Sequence, residues 1–170
     1  MRCRLAYGLL WTALGGLLLG AVLPAWLHPD PWEAWQSPWF RLYGGLCHQL
    51  PERSFWGPSA PMAVCQRCMG LLGGLFVGSL LAPLGQAQRA RWARRGSLLL
   101  AGALLLVALD WLWGWLYGNS ALSRVLTGAC LGLVCGPYAA WGWVALWRPG
   151  TGTYSKRERC THGNPHYPST

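Results

Sequence analysis

Residues 62–84 of the chain, MAVCQRCMGLLGGLFVGSLLAPL, form an apolar run that contains two cysteines near its start and four glycines further on. A helix needs about 20 residues to cross a hydrocarbon core of roughly 30 Å, so this run is long enough to span a bilayer. Residues 5–26, 97–117 and 121–147 are three further runs of this kind. The sequence therefore predicts an all-α fold, an integral membrane four-helix bundle, in a single domain over residues 1–147.

The composition supports the membrane class. Of the 170 residues, 53% are hydrophobic and only 11% are charged, and tryptophan occurs 13 times. Soluble domains rarely combine these values. The first apolar run follows a basic start, as a signal peptide does, but it is longer than the usual signal core of about 7 to 15 residues. We therefore interpret it as an uncleaved span.

The basic residues distinguish the two sides of the membrane. Of the 14 lysines and arginines, ten lie before the first span, between the second and third spans, or after the fourth. These ten are Arg2, Arg4, Arg89, Arg91, Arg94, Arg95, Arg148, Lys156, Arg157 and Arg159. The positive-inside rule then predicts a multi-pass protein of the cell membrane with both termini in the cytoplasm. Residues 148–170 should form a basic, disordered cytoplasmic tail, and anionic phospholipids rather than nucleic acid are the expected partner of this face.

The connection between the first two spans, residues 27–61, is then on the outer side. Trp32, Trp35 and Trp39 recur in it at helical spacing. This pattern predicts an amphipathic segment that lies in the outer membrane interface and bends near Pro38. An outward-facing loop or helix thus separates the first two spans.

Three thiols and one imidazole lie within 22 residues at this outer end: Cys47, His48, Cys65 and Cys68. Zinc accepts a Cys₃His ligand set in tetrahedral geometry. The sequence therefore predicts an outward-facing metal site that holds zinc or another thiophilic ion, such as Cu(I). Adjacent residues usually point apart, so His48 could instead lie outside the ligand set. Three thiolates would then leave an open position, for which Glu52 is the obvious substitute ligand.

Two other interpretations of the same thiols stay open. The Cys65-x-x-Cys68 pair at the mouth of a membrane bundle resembles the layout of quinone-coupled disulfide-generating enzymes of the DsbB and vitamin K epoxide reductase type. A thiolate at a helix N-terminus is stabilised there, which suits a thiol-disulfide oxidoreductase. Alternatively, a disulfide between Cys47 and one of the other two cysteines pins the loop of a structural membrane subunit.

Two charged residues lie at similar depth inside the predicted spans. Asp110 comes seven residues before the end of the third span, and Arg124 comes shortly after the start of the fourth. Charges at this depth are costly unless they are paired, so we expect an ion pair between them. Glycines spaced every three or four residues in the second and fourth spans predict that these two helices touch, which would bring Arg124 near the cysteines.

Several motifs resemble those of a known family of uncharacterised bacterial and archaeal membrane proteins. The resemblance covers roughly residues 41–136 and rests on Cys47-His48-Gln49, the PERSF run at residues 51–55, Cys65-x-Arg67-Cys68-x-Gly70, and Thr127-Gly128. The family is catalogued as domain of unknown function 2085, which implies a small multi-span membrane protein with a shared polar site and supplies no activity. It makes the following residues candidate catalytic groups beside the cysteines: Glu52, Arg53, Asp110, Asn119 and Arg124.

Overall fold

The structure is a computed structural model that describes residues 2–85 and 89–147. In chain order its helices are α1 (Arg2–Val22), α2 (Pro24–Leu27), α3 (Pro31–Gln36), α4 (Pro38–Gly44), α5 (Gln66–Leu81), α6 (Arg89–Leu116) and α7 (Ala121–Leu146). A 3₁₀ turn at Pro51–Arg53 and two strands, β1 (Ser54–Trp56) and β2 (Pro61–Cys65), lie between α4 and α5. The tail expected at residues 148–170 lies outside the described residues.

Three of the described helices are long and apolar enough to cross a membrane. They are found at Cys3–Val22, Arg94–Leu116 and Ala121–Leu146. Helix α5 is also apolar but has only 16 residues. It is therefore about 24 Å long at a rise of 1.5 Å per residue. The predicted helix over residues 62–84 is wrong at its start, because residues 62–65 pair with β1 as part of β2.

Helices α5 and α7 lie against each other backbone to backbone. A Cβ atom at Gly70 would collide with the carbonyl oxygen of Val125, and one at Gly74 would collide with that of Ala129. Moving four residues along α5, from Gly70 to Gly74, moves the contact four residues along α7, from Val125 to Ala129. The two helices therefore run parallel. The other glycines in this contact are Gly78, Gly128, Gly132 and Gly136. The predicted close packing of these two helices is confirmed.

Helix α6 packs antiparallel to α7. Near the start of α6, Gly96 fits against the hydroxyl of Tyr138, late in α7. Near the end of α6, Asp110 contacts Ser123, early in α7. Most of the leucine and tryptophan side chains elsewhere on α6 are exposed. That surface is typical of a helix that faces lipid.

Helix α1 reaches both ends of the α5–α7 pair. Near its start, Ala6 belongs to a buried cluster with Ala82 and Trp141. Close to its other end, Ala21 belongs to a second buried cluster that includes Cys47. We call the end that contains Cys47 the thiol end, and the opposite end, where α6 begins, the arginine end.

The connection between α1 and α5 contains the short helices and the hairpin. Asp30 and Ser37 cap α3 and α4 by accepting hydrogen bonds from the N–H groups of Trp32 and Phe40. These two helices confirm the predicted helical segment with a break before Pro38. The expectation of an all-α chain is wrong here, because β1 and β2 form a two-stranded antiparallel sheet. The described residues thus form a mostly helical chain with one small hairpin.

Candidate functional site

Three thiols from two parts of the chain meet at the thiol end. Cys47 follows α4, Cys65 is the last residue of β2, and Cys68 lies in the first turn of α5. Their Sγ atoms all lie within 4.8 Å of one another. All three are free thiols. Cys47 is buried and the other two are half-buried. The structure therefore brings together the three cysteines that the sequence predicted as metal ligands.

Hydrogen bonds hold the turn that carries Cys47 against β2. The N–H of Cys65 donates to the Cys47 Sγ at 3.2 Å. The side-chain amide of Gln49 donates to the carbonyl oxygens of Phe40 and Ala63 at 2.8 and 2.9 Å. Gln49 has a φ of 50°, which residues other than glycine rarely adopt. This glutamine is thus a structural link between α4 and β2, and it keeps the Cys47 turn in place.

Hydrogen bonds inside the cluster favour a thiolate at Cys65, which lies before the first residue of α5. Those from Cys47 and Cys68 hold the pKa of the Cys65 thiol well below its usual range, although partial burial acts in the opposite direction. The nearby N-terminus of α5 also stabilises a negative charge. A thiolate is the form in which cysteine binds soft metals and attacks disulfides.

The other predicted residues of this connection are exposed. His48 follows Cys47 directly, but it is exposed and its ring nitrogens are not among the clustered ligand atoms. Glu52 and Arg53 lie in the 3₁₀ turn and are exposed too. Among the residues that the structure describes, the ligand atoms close enough to share one ion are the three sulfurs.

A polar network joins α5, α6 and α7 at the same end. The carboxylate of Asp110 forms an ion pair with Arg67 and accepts a hydrogen bond from the hydroxyl of Ser123. The Thr127 hydroxyl lies 3.4 Å from Asp110 Oδ2. The side-chain amide of Asn119 donates to the carbonyl oxygen of Asp110 at 2.7 Å. The network thus ties the end of α6 to the starts of α5 and α7.

The expected ion pair between Asp110 and Arg124 is wrong. Arg67 occupies that position, and Arg124 instead donates from Nη1 to Oε1 of Gln66 at 3.1 Å. The reason is how α7 is rotated about its own axis, which decides which of its side chains face α6. Ser123 faces Asp110 on α6, and the next residue of a helix is turned by about 100°. Arg124 therefore points toward α5.

The thiols and the polar network lie on different sides of α5. Cys65 and Cys68 pack against the buried cluster formed by the end of α1 and the connection that follows it. Gln66 and Arg67 contact α7 and α6. Of the residues that the family resemblance grouped together, the cysteines form one site, Asp110, Asn119 and Arg124 belong to a second site beside it, and Glu52 and Arg53 lie in neither.

Sequence reasoning did not select Arg67, Gln66 or Ser123 as site residues. One signal was present for Arg67, because it is a charged residue in an apolar run, as Asp110 is. However, either Arg67 or Arg124 could have paired with Asp110, and their positions along the chain do not decide between them. Gln66 and Ser123 carry no charge, so only their contacts reveal their roles.

Comparison with known proteins gives one family match and one curated relative. A family model described as "Predicted membrane protein (DUF2085)" matches residues 47–138. An uncharacterized protein of Methanocaldococcus jannaschii is 43% identical over 44 residues, which are 26% of this chain and 28% of that protein. The match thus spans less than a third of the relative's length. No solved structure matches the chain significantly.

Proposed function

Because this chain belongs to the DUF2085 family of predicted membrane proteins, whose model covers more than half of it, we propose that it is a membrane protein that binds a thiophilic metal ion. The ligands are Cys47, Cys65 and Cys68, and zinc is the first candidate ion. The observation that carries the proposal is the approach of their three sulfur atoms to within 4.8 Å of one another.

The spacing of the sulfurs suits a tetrahedral ion. Zinc–sulfur bonds of about 2.3 Å in tetrahedral geometry separate two sulfurs by about 3.8 Å. Sulfurs within 4.8 Å of one another reach that separation by small rotations of the side chains. The ion would then join the turn after α4 to the start of α5, two segments that are distant in sequence.

Three thiolates leave the fourth position of a tetrahedral ion open. In zinc enzymes that position holds water or substrate, whereas structural sites are closed by a fourth protein ligand. The exposed His48 is adjacent to Cys47 and is the protein group best placed to close the site if the turn rearranges. We propose that the fourth ligand comes from solvent, and that His48 is not a ligand.

The proposed site faces outward. Arg89, Arg94 and Arg95 are exposed at the arginine end, and the positive-inside rule favours that end in the cytoplasm, next to anionic phospholipids. Helix α5 then serves as a fourth, short crossing. Its parallel packing with α7 and the contact of Ala82 with Trp141 at the arginine end support this path.

Elemental analysis of detergent-purified protein, run beside a count of free thiols, tests the metal site. We expect close to one equivalent of metal per chain. Cys68→Ser should reduce metal content at least tenfold, because it removes one of three thiolates. Cys135→Ser is the matched control, since that half-buried thiol lies on α7 outside the cluster. Wild-type protein that is metal-free and cannot be loaded with zinc would contradict the proposal.

His48→Ala separates the two possible ligand sets. If the three thiols hold the ion with a ligand from solvent, this variant should keep its metal. A loss as large as that in Cys68→Ser would instead identify His48 as the fourth ligand.

Thiol redox chemistry is the second candidate function, favoured by the free state and mutual proximity of the same three cysteines. In it, Cys65 and Cys68 would form a disulfide and pass two electrons and two protons to a quinone. The thiol count decides between the candidates. Two thiols that disappear when quinone is added and return on reduction support the redox role, whereas metal-protected thiols that quinone leaves unchanged support the metal site.

A further inference from the structure

The charges of the polar network at the thiol end do not balance. Arg67 forms an ion pair with Asp110. The Asp110 carboxylate is also engaged by Ser123. Arg124 therefore has a neutral partner, the Oε1 atom of Gln66 at 3.1 Å. Among the described residues, the half-buried Arg124 guanidinium has no carboxylate within ion-pair distance.

Two buried polar atoms of the network have no hydrogen-bond partner among the described residues, the donor Nε of Arg67 and the acceptor Oδ1 of Asn119. A guanidinium carries five N–H donors, and Arg124 directs one of its nitrogens at Gln66. Gln66 is itself buried, with 7% of its surface exposed, so its amide holds the Arg124 side chain in a defined orientation.

Helix ends add positive potential to the same place. Helices α5 and α7 run parallel, so both begin at the thiol end. Neither has an acidic residue in its first turn. Ser120 caps α7 by accepting a hydrogen bond from the N–H of Ser123, whereas the N-cap residue of α5, Cys65, makes no side-chain capping bond. The N-terminus of a helix favours negative charge because its first N–H groups are unpaired.

We propose that Arg124, oriented by Gln66, binds an oxyanion, the phosphate or carboxylate group of a ligand, at the thiol end between the first turns of α5 and α7. A guanidinium binds such groups with two parallel hydrogen bonds. An arginine inside a membrane bundle is costly without a counter-charge, and the oxyanion supplies that charge. The site lies on the other side of α5 from the thiols and does not depend on the metal.

Thermal denaturation with inorganic phosphate and with lipid distinguishes two sources of the oxyanion. The first arm titrates sodium phosphate into protein in a neutral detergent, against sodium chloride of equal ionic strength. The second compares nanodiscs of phosphatidylcholine with nanodiscs that contain increasing phosphatidylglycerol. We expect a saturable rise in Tm in at least one arm, because a ligand that binds the folded state stabilises it. A rise in the first arm indicates a soluble oxyanion, and a rise in the second alone indicates a lipid headgroup.

Variants assign the effect to the proposed residue. Arg124→Gln should weaken the midpoint of the titration at least tenfold, and Arg124→Lys should weaken it less, since it keeps the charge. Arg41→Gln is the matched control, because Arg41 is exposed on α4 and outside the network. If Arg124→Gln does not fold, Gln66→Leu replaces it and should weaken the midpoint severalfold. The proposal is overturned if wild-type protein gives no saturable rise in either arm, or if the substituted protein keeps the wild-type midpoint.

Discussion

At the scale of single residues, Asp110 connects three helices. It neutralises Arg67 on α5 and accepts a hydrogen bond from Ser123 on α7. Its own backbone carbonyl receives the amide of Asn119 from the turn before α7. The Asp110 side chain is buried and that of Arg67 is partly exposed. Removing one partner of such a pair leaves the other charge uncompensated. A single substitution of either charged residue should therefore destabilise the protein more than substitution of both.

Replacing Asp110 alone should be more damaging than replacing both charged residues. Asp110→Leu leaves Arg67 without its carboxylate and should cost about 3 kcal/mol of unfolding free energy. The double variant Arg67→Met, Asp110→Leu should recover most of that loss. Unfolding titrations in one detergent measure both values. Ser123→Ala is the control and should cost about 1 kcal/mol, the value of one hydrogen bond. Equal stability of wild type and Asp110→Leu would contradict this role of the carboxylate.

The sequence predicted that Asp110 needs a positive partner, but not which one. Both arginines lie near the thiol end, and an aspartate at this depth would accept either. Rotation of α5 and α7 about their axes directs Arg67 toward α6 and Arg124 toward α5. That rotation is set by the packing of the glycine faces, which position along the chain does not specify.

At the scale of elements, glycine determines how closely α5 and α7 approach. In lipid there is little hydrophobic gain from bringing two helices together, so small residues that allow backbone contact supply the attraction. Gly70 and Gly74 meet carbonyl groups of α7 directly. Gly73 lies between them in sequence but has open space where a Cβ would be. The two kinds of glycine on one helix permit a matched comparison.

Gly74→Ala should destabilise the protein while Gly73→Ala should not. The added methyl group at Gly74 would collide with the backbone of Ala129. Such overpacking costs roughly 1–3 kcal/mol. At Gly73 the same change should be neutral or stabilising by about 0.5–1 kcal/mol, because alanine favours a helix. Thermal denaturation of the two variants in the same detergent tests this, and equal Tm values would show that the helices are not in close contact.

The first residue of α5 could not be predicted from the pattern of apolar residues. Residues 62–65 are apolar or thiol-bearing, so hydropathy assigns them to the same span as the residues that follow. Their pairing with β1 depends on Ser54 and Trp56, which lie before the hairpin turn. Short apolar runs fit a buried strand as well as a helix. Hydropathy therefore predicts the helix but not its first residue.

At the scale of the whole molecule, the described parts of the chain have two chemically different ends. The thiol end combines the cysteines with the polar network, and the arginine end carries Arg89, Arg94 and Arg95. Such asymmetry in basic residues orients a membrane protein during insertion. The orientation decides whether the proposed metal and oxyanion sites meet extracellular or cytoplasmic ligands.

Epitope insertion tests this orientation and the crossing by α5. An epitope between Pro58 and Ser59, which are exposed in the hairpin turn, should bind antibody on spheroplasts of a bacterial host without permeabilisation. An epitope between Leu84 and Gly85, after α5, should bind only after permeabilisation. Accessibility of both epitopes on intact spheroplasts would show that α5 does not cross, and the reverse pattern would invert the topology.

The sequence by itself predicted the membrane class, the long helices and the contact between α5 and α7. These predictions rest on properties that are read along the chain, namely hydropathy and the spacing of glycines. The sequence also indicated that Cys47, Cys65 and Cys68 belong together. The tertiary structure alone decided that His48 stands apart from the sulfurs, that Arg67 rather than Arg124 pairs with Asp110, and that β2 precedes α5. The physical reason is that side-chain direction and strand pairing depend on contacts between segments distant in sequence, which local patterns do not contain.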